Sequence, residues 1–234
     1  MNPAKRLYRN TKEPLCEVAR WCEYDSAEPK VLFILKEPAV RKDDKNYNFR
    51  KSLESPEWKK LRMWRLLAYC SKGLQAIGRG QEPILKNRNA EECKRLLKYS
   101  SYMNFKRFGS GRASDMSLVG LHAGLFWQLM MEEIRELKPN IIVCCKTYFI
   151  LKELLECLDK LPEYRKKLGY GELGIFEKHN KEDKSEGLTF WQCKEISEKR
   201  IGVINMEHPA RKNHEVYFKK LMDLGREVWR EIRD

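Results

Sequence analysis

Four short apolar runs, spaced far apart and linked by helix-patterned segments, constrain this chain more than any other feature. They are Val31–Leu35, Ser100–Phe105, Ile141–Cys145 and Ile201–Asn205. A strand with one wet face alternates apolar and polar residues. A strand buried on both faces reads as a continuous apolar run, which is the signature of a parallel sheet covered on both sides. Each run closes on turn or polar residues: Lys36-Glu37-Pro38 ends the first, and His208-Pro209 follows the last.

The intervening segments read as helices. Pro56–Ile77 opens with a first-turn proline, carries Leu61, Trp64, Leu67 and Leu74, and is followed by Gly78. Ala90–Tyr99 is a shorter amphipathic piece. Ser114 or Asp115 caps a helix running to Leu137; Thr147–Leu161 stops before Pro162; Asn213–Ile232 closes the chain. Leu188–Lys194 fits an antiparallel partner for Ile201–Asn205 at one sheet edge, and the charged stretch 177–186 reads as an exposed loop. The alternation predicts a three-layer α/β/α sandwich around a central, mostly parallel four-stranded sheet. No repeat or low-complexity linker divides it, so a single domain over residues 1–234 is expected.

Charge then narrows the partners. The 47 basic and 34 acidic side chains leave a formal +13, and the excess is spread along folded-looking sequence. A surface of that sign attracts a polyanion, with counterion release on phosphate neutralisation as the driving force. The longest run without a formal charge, Met116–Met131, is shorter than the ~20 apolar residues that span a bilayer. No membrane association is expected. Residues 1–10 lack the apolar core of a secretory signal. The expected setting is cytoplasmic and nucleoid-associated.

The eight cysteines include no C-x-x-C pair: Cys16 and Cys22 lie apart, Cys144 and Cys145 are adjacent, and the rest are single. That spacing speaks against zinc or a clustered iron–sulfur centre and for reduced thiols. No metal and no cofactor are expected. Nothing in the sequence requires a dimer, and a monomer is expected.

In an open parallel sheet, ligands bind at the carboxyl ends of the strands. Three exits carry chemistry: Lys36-Glu37-Pro38, Asn104-Phe105-Lys106 and Glu207-His208-Pro209-Ala210. A carboxylate, an amide and an imidazole would thus share one rim. Together with Leu137-Lys138-Pro139-Asn140-Ile141-Ile142-Val143, these segments resemble the motifs and third core strand of the uracil-DNA glycosylase superfamily, over roughly Val31 to Arg211.

The resemblance implies a monofunctional DNA glycosylase acting on a flipped-out pyrimidine in double-stranded or single-stranded DNA. Glu37 would polarise the attacking water and stabilise the sugar cation, with Asp43 or Asp44 as the alternative carboxylate. His208 would stabilise the departing base, and Asn104 would read its Watson–Crick edge. Phe49, or else Tyr47, would stack on the base. Lys36, Arg41, Lys106, Arg107, Pro209, Arg211 and Lys212 would contact DNA. Arg41–Arg65 holds nine basic and four acidic residues with aromatics interleaved.

The departures from the family pattern are informative too. Lys36 replaces a glycine, Glu37 replaces Asp or Asn, and Cys144-Cys145-Lys146 stands at a glycine-rich strand end. Ala39 occupies the place of a tyrosine that excludes 5-substituted pyrimidines, so the expected substrate is uracil or a bulkier 5-modified base, such as a hypermodified cytosine of viral DNA. Repair and antiviral defence both fit such an activity. The alternative is a catalytically silent nucleic-acid-binding module on the same fold.

Overall fold

A computed structural model of the chain describes residues 19–36, 62–85, 89–106, 115–160, 162–163, 175–178, 187–193, 196–210 and 212–233. Their order is helix α1 (Cys22–Asp25), strand β1 (Val31–Leu35), α2 (Arg62–Gly78), α3 (Ala90–Leu97), β2 (Ser100–Asn104), α4 (Met116–Leu125), α5 (Trp127–Leu137), β3 (Ile141–Cys145), α6 (Tyr148–Asp159), β4 (Ile175–Lys178), β5 (Leu188–Gln192), β6 (Ile201–Met206) and α7 (His214–Arg233).

The sheet order is β2-β1-β3-β6-β5-β4. The first four strands are parallel, and every residue of β1, β2 and β3 is buried; β1 and β3 are unbroken apolar runs, while β2 also buries Ser100, Ser101 and Asn104. β5 pairs antiparallel with β6, and β4 with β5. The described sheet therefore has six strands where the sequence pattern predicted four. The antiparallel partner of β6 is present, but it is not the edge: β4 lies outside it. Ile175–Lys178 is too short and too charged to register as an apolar run, and part of it falls in the stretch read as a loop.

Two apolar layers fill the space between sheet and helices. Val31, Phe33 and Leu35 face α2, α3 and α7, meeting Trp64, Leu67, Leu74, Phe218 and Leu221. Leu32 and Ile34 face the other way, toward Met130, Ile134, Leu151 and Leu155 of α5 and α6. This period-2 division is what makes the architecture a three-layer sandwich. Tyr102 anchors the first layer: its ring stacks on Phe33 (5.4 Å) and meets Trp64 edge-on (5.6 Å). Gly202 lets β6 approach α7, because a Cβ there would fall 2.2 Å from a Val228 methyl carbon.

The helix predicted to run unbroken to Leu137 divides at Phe126, whose φ of −112° and ψ of 16° leave the helical region. Gly120 and Gly124 lie in the turns just before the break, each weakening the helix by ~1 kcal/mol relative to alanine. Asp115 caps α4, accepting from the Ser117 amide at 2.9 Å. Among the described residues no helix is long and apolar enough to cross a membrane. Cys70, Cys144 and Cys145 are buried thiols, and burial raises the pKa of each, that of Cys145 to about 12.

Candidate functional site

The sheet order creates one topological switch point. From β1 the chain goes to β2 on one side; from β3 it goes to β6 on the other. The crevice outside the carboxyl ends of β1 and β3 is therefore where this topology leaves room for a ligand.

The strand ends lie level with one another. Leu35 is in register with Asn104, Ile34 with Cys144, and Cys145 with Met206. Asn104 and Met206 thus close one row across four strands, three spacings of ~4.8 Å apart, or roughly 14 Å. His208 lies two residues past Met206. The pairing also continues beyond the strands. Phe105 N–H donates to the Leu35 carbonyl (3.0 Å) and Lys106 N–H to the Lys36 carbonyl (2.8 Å), so the chain leaving β2 is fastened to the chain leaving β1. On the other side, the Thr147 hydroxyl donates to the Ile34 carbonyl at 2.9 Å.

Asn104 is 2% exposed and shares a sheet face with Tyr102, beneath α2. Its amide offers both a donor and an acceptor. His208 is half-buried, and its Nδ1 accepts from the Ala210 amide at 3.3 Å. That bond occupies one ring nitrogen as an acceptor, so in the neutral ring the proton sits on Nε2, which acts as a donor. Buried Pro209 between them fixes the turn.

The predicted basic residues divide. Lys36 is half-buried and Lys106 is only 5% exposed, its place set by the backbone bond to Lys36. Lys212 is exposed and pairs with Glu207 at 3.6 Å. Glu37, Ala39, Arg41, Asp43, Asp44, Tyr47, Phe49, Arg107 and Arg211 lie outside the described residues. The structure thus brings Lys36, Asn104, Lys106, His208, Pro209 and Lys212 to one edge of the sheet.

The same edge holds residues that the motifs did not single out. Lys146 ends β3 with φ of +64°, a left-handed conformation that L-residues with a side chain adopt at a cost of about 1–2 kcal/mol. Its amide donates to the Met206 carbonyl at 2.6 Å, tying β3 to β6 beyond their last paired residues, and its side chain is exposed. The sequence signal was the lysine in a place where a glycine was expected.

Tyr217, in the first turns of α7, is buried with its hydroxyl 3.7 Å from the Cys145 thiol; burial holds its pKa well above the ordinary range. His214 meets the Tyr69 ring edge-on at 6.4 Å. Its pKa is lowered, first by burial and then by the charges of Arg62 and Arg65. No periodic motif marks such a cluster, because it forms between two helices far apart in sequence.

Neither a family model, nor a curated protein, nor a solved structure matches the chain.

Proposed function

We propose that this chain is a monofunctional DNA glycosylase, which flips a pyrimidine nucleotide into the crevice at the carboxyl edge and hydrolyses its N-glycosidic bond. The observation that supports the reading is that Asn104 ends β2 and His208 follows the end of β6 by two residues, at the same edge of one four-strand row, with the chain that leads into Glu37 fastened to the chain leaving β2.

In this reaction water attacks C1′ of the deoxyribose. The bond from C1′ to the base nitrogen breaks, and its electron pair leaves with the base. Negative charge then gathers on the base oxygens and positive charge on the sugar. His208, with Nδ1 occupied by the Ala210 amide, presents Nε2–H to the departing base and stabilises the developing anion. Asn104, held in the core by its strand, discriminates the base edge at low cost in side-chain entropy. Glu37, the residue after Lys36, takes the water-activating role, with Asp44 as the other candidate. Ala39 in the place of a bulky side chain favours a substrate substituted at the pyrimidine 5-position. Such an activity serves repair or defence against modified viral DNA.

Duplexes carrying uracil, mismatched thymine or a series of 5-substituted cytosines, followed by alkaline cleavage at abasic sites, test the reading. At least one base is expected to be released, and Glu37→Gln or Asp44→Asn should identify the water-activating carboxylate. DNA binding without strand breaks on any substrate would leave only the silent binding module.

A further inference from the structure

Helices α2 and α7 lie side by side and run in the same direction, both starting at the carboxyl edge. Tyr69 meets His214, Gly73 stands against Phe218 and Met222, and Gly225 stands against Leu74. With a rise of 1.5 Å per residue, Arg65 and Arg62 precede Tyr69 by about 6 and 10 Å, which carries them past the start of α7. Positions 62, 65 and 69 follow the i, i+3, i+7 spacing and share one helix face, the face turned to His214.

Both arginines are exposed. Among the described residues, no carboxylate stands within ion-pair distance of either guanidinium. Two cations and an imidazole thus lie near one another with no counter-charge among the described residues. The end of α7 does not supply the site by itself, because its first amides are already taken: Asn213 Oδ1 accepts from Glu215 N (2.9 Å) and Val216 N (3.2 Å). What remains is two guanidinium groups close enough to His214 to act on its charge, a donor set suited to a tetrahedral dianion or a phosphodiester.

We propose that Arg62, Arg65 and His214 form a binding site for a backbone phosphate of the nucleic acid, beside the base crevice and distinct from it. The identity of the polymer rests on the nucleic-acid part of the reading above; base excision is not required. Binding is coupled to a proton. In the free protein, burial and the two arginines keep His214 neutral below its ordinary pKa. A phosphate between them cancels that repulsion and favours the imidazolium, so a proton is taken up on binding. Affinity then rises as pH falls toward the free-state pKa and levels off below it. Among the described residues the other charged or titratable groups on the elements beside the ring are Tyr69 on α2, Glu215 next in the chain, and the Glu207–Lys212 pair ahead of the helix.

The test is anisotropy titration of a fluorescein-labelled DNA duplex of ordinary bases across a range of salt. Arg62→Gln with Arg65→Gln should lower the slope of log K against log salt by about one, since the one phosphate contact contributes ~0.9. Arg79→Gln with Arg230→Gln removes the same charge toward the other ends of the same two helices and should leave the slope as it was. An unchanged slope in the first variant, an equal drop in the second, or no binding by the unmodified protein overturns the proposal. Circular dichroism melts confirm that each variant is folded. As an independent readout, the NMR titration of His214 should move up by about one unit or more when the duplex is added, and an unmoved pKa also overturns the site. Base release is not measured here. A protein that excises no base but loses the slope therefore retains this site and loses only the glycosylase reading.

Discussion

The two edges of the parallel sheet are built on opposite principles. At the amino edge, side chains close the structure on itself. The Gln75 amide clasps the turn before β1, accepting from Glu28 N–H (3.1 Å) and donating to the Pro29 carbonyl (2.7 Å). Asn140 Oδ1 accepts from Lys30 N–H (2.8 Å), and the Tyr24 hydroxyl donates to the Leu137 carbonyl. Three cations there have carboxylates: Lys98 with Glu23, Arg200 with Glu231, and Arg226 with Glu82 and Asp223. At the carboxyl edge stand a buried amide, Asn104, and a half-buried imidazole, His208; Lys146 holds a strained backbone, and among the described residues Arg62 and Arg65 have no acidic partner. The amino edge commits these polar groups to the fold; the carboxyl edge does so with Thr147, Asn213 and the Lys212–Glu207 pair, and leaves Arg62 and Arg65 without a carboxylate among the described residues. If that division is right, substitutions at the two edges should separate cleanly into losses of stability and losses of function.

The largest effects belong to the carboxyl edge. Removing a single positioned donor to a developing anion typically lowers a rate by ~10²–10³. His208→Ala should therefore reduce base release by that factor while the melting temperature stays close to that of the parent. On the proposed function, Asn104→Ala should act on substrate choice as well as rate, since the amide would select the base edge. Single-turnover kinetics on the best substrate measure both. A large fall in melting temperature for His208→Ala would blur the comparison, because it would make the imidazole part of the fold.

The amino edge should behave in the reverse manner. Gln75→Ala leaves the part-buried Glu28 amide and the buried Pro29 carbonyl without their partner; the buried one costs ~1–3 kcal/mol and the other less. The denaturant midpoint should fall, with DNA affinity and base release per folded molecule unchanged. Asn140→Ala should cost less, about 1 kcal/mol, because only one amide loses its side-chain acceptor and the site is half-buried.

This division also explains how much could be read in advance. The parallel strands were legible almost to the residue. Val31–Leu35 and Ile141–Cys145 have the bounds their apolar runs predict, because burial on both faces leaves no other composition open. Strand ends follow from strand positions, so Asn104 and His208 could be placed on one rim from the sequence. Other features depend on contacts between distant segments and left no local trace. β4 exists through its pairing with β5, not through its own composition. The cluster of Arg62, Arg65, Tyr69 and His214 depends on the parallel packing of α2 on α7, which the close approaches at Gly73 and Gly225 permit. The left-handed Lys146 is set by the bond of its amide to Met206.

The smallest effects test the comparison most finely, because removing an arginine should carry opposite signs at the two edges. Arg226→Gln at the amino edge breaks exposed ion pairs with Glu82 and Asp223, and exposed pairs contribute up to ~1 kcal/mol, so stability should fall slightly at neutral pH and less at high salt. Arg65→Gln at the carboxyl edge should cost nothing at neutral pH and improve stability in acid. The folded-state pKa of His214 lies below its ordinary value, in part because of Arg62 and Arg65. Above the unfolded pKa of about 6.5 the ring is neutral in both states and exerts no pull. As pH drops through that value the unfolded chain takes up the proton first, and stability declines until the depressed folded-state pKa is passed. Without Arg65 that pKa moves back toward normal, the gap closes, and the acid limb of the stability profile becomes shallower. Urea midpoints between pH 7 and the acid transition would reveal the difference. An acid limb as steep as that of the parent would mean that the two guanidinium groups do not oppose charge on His214 and that the carboxyl edge is no more strained by its cations than the amino edge.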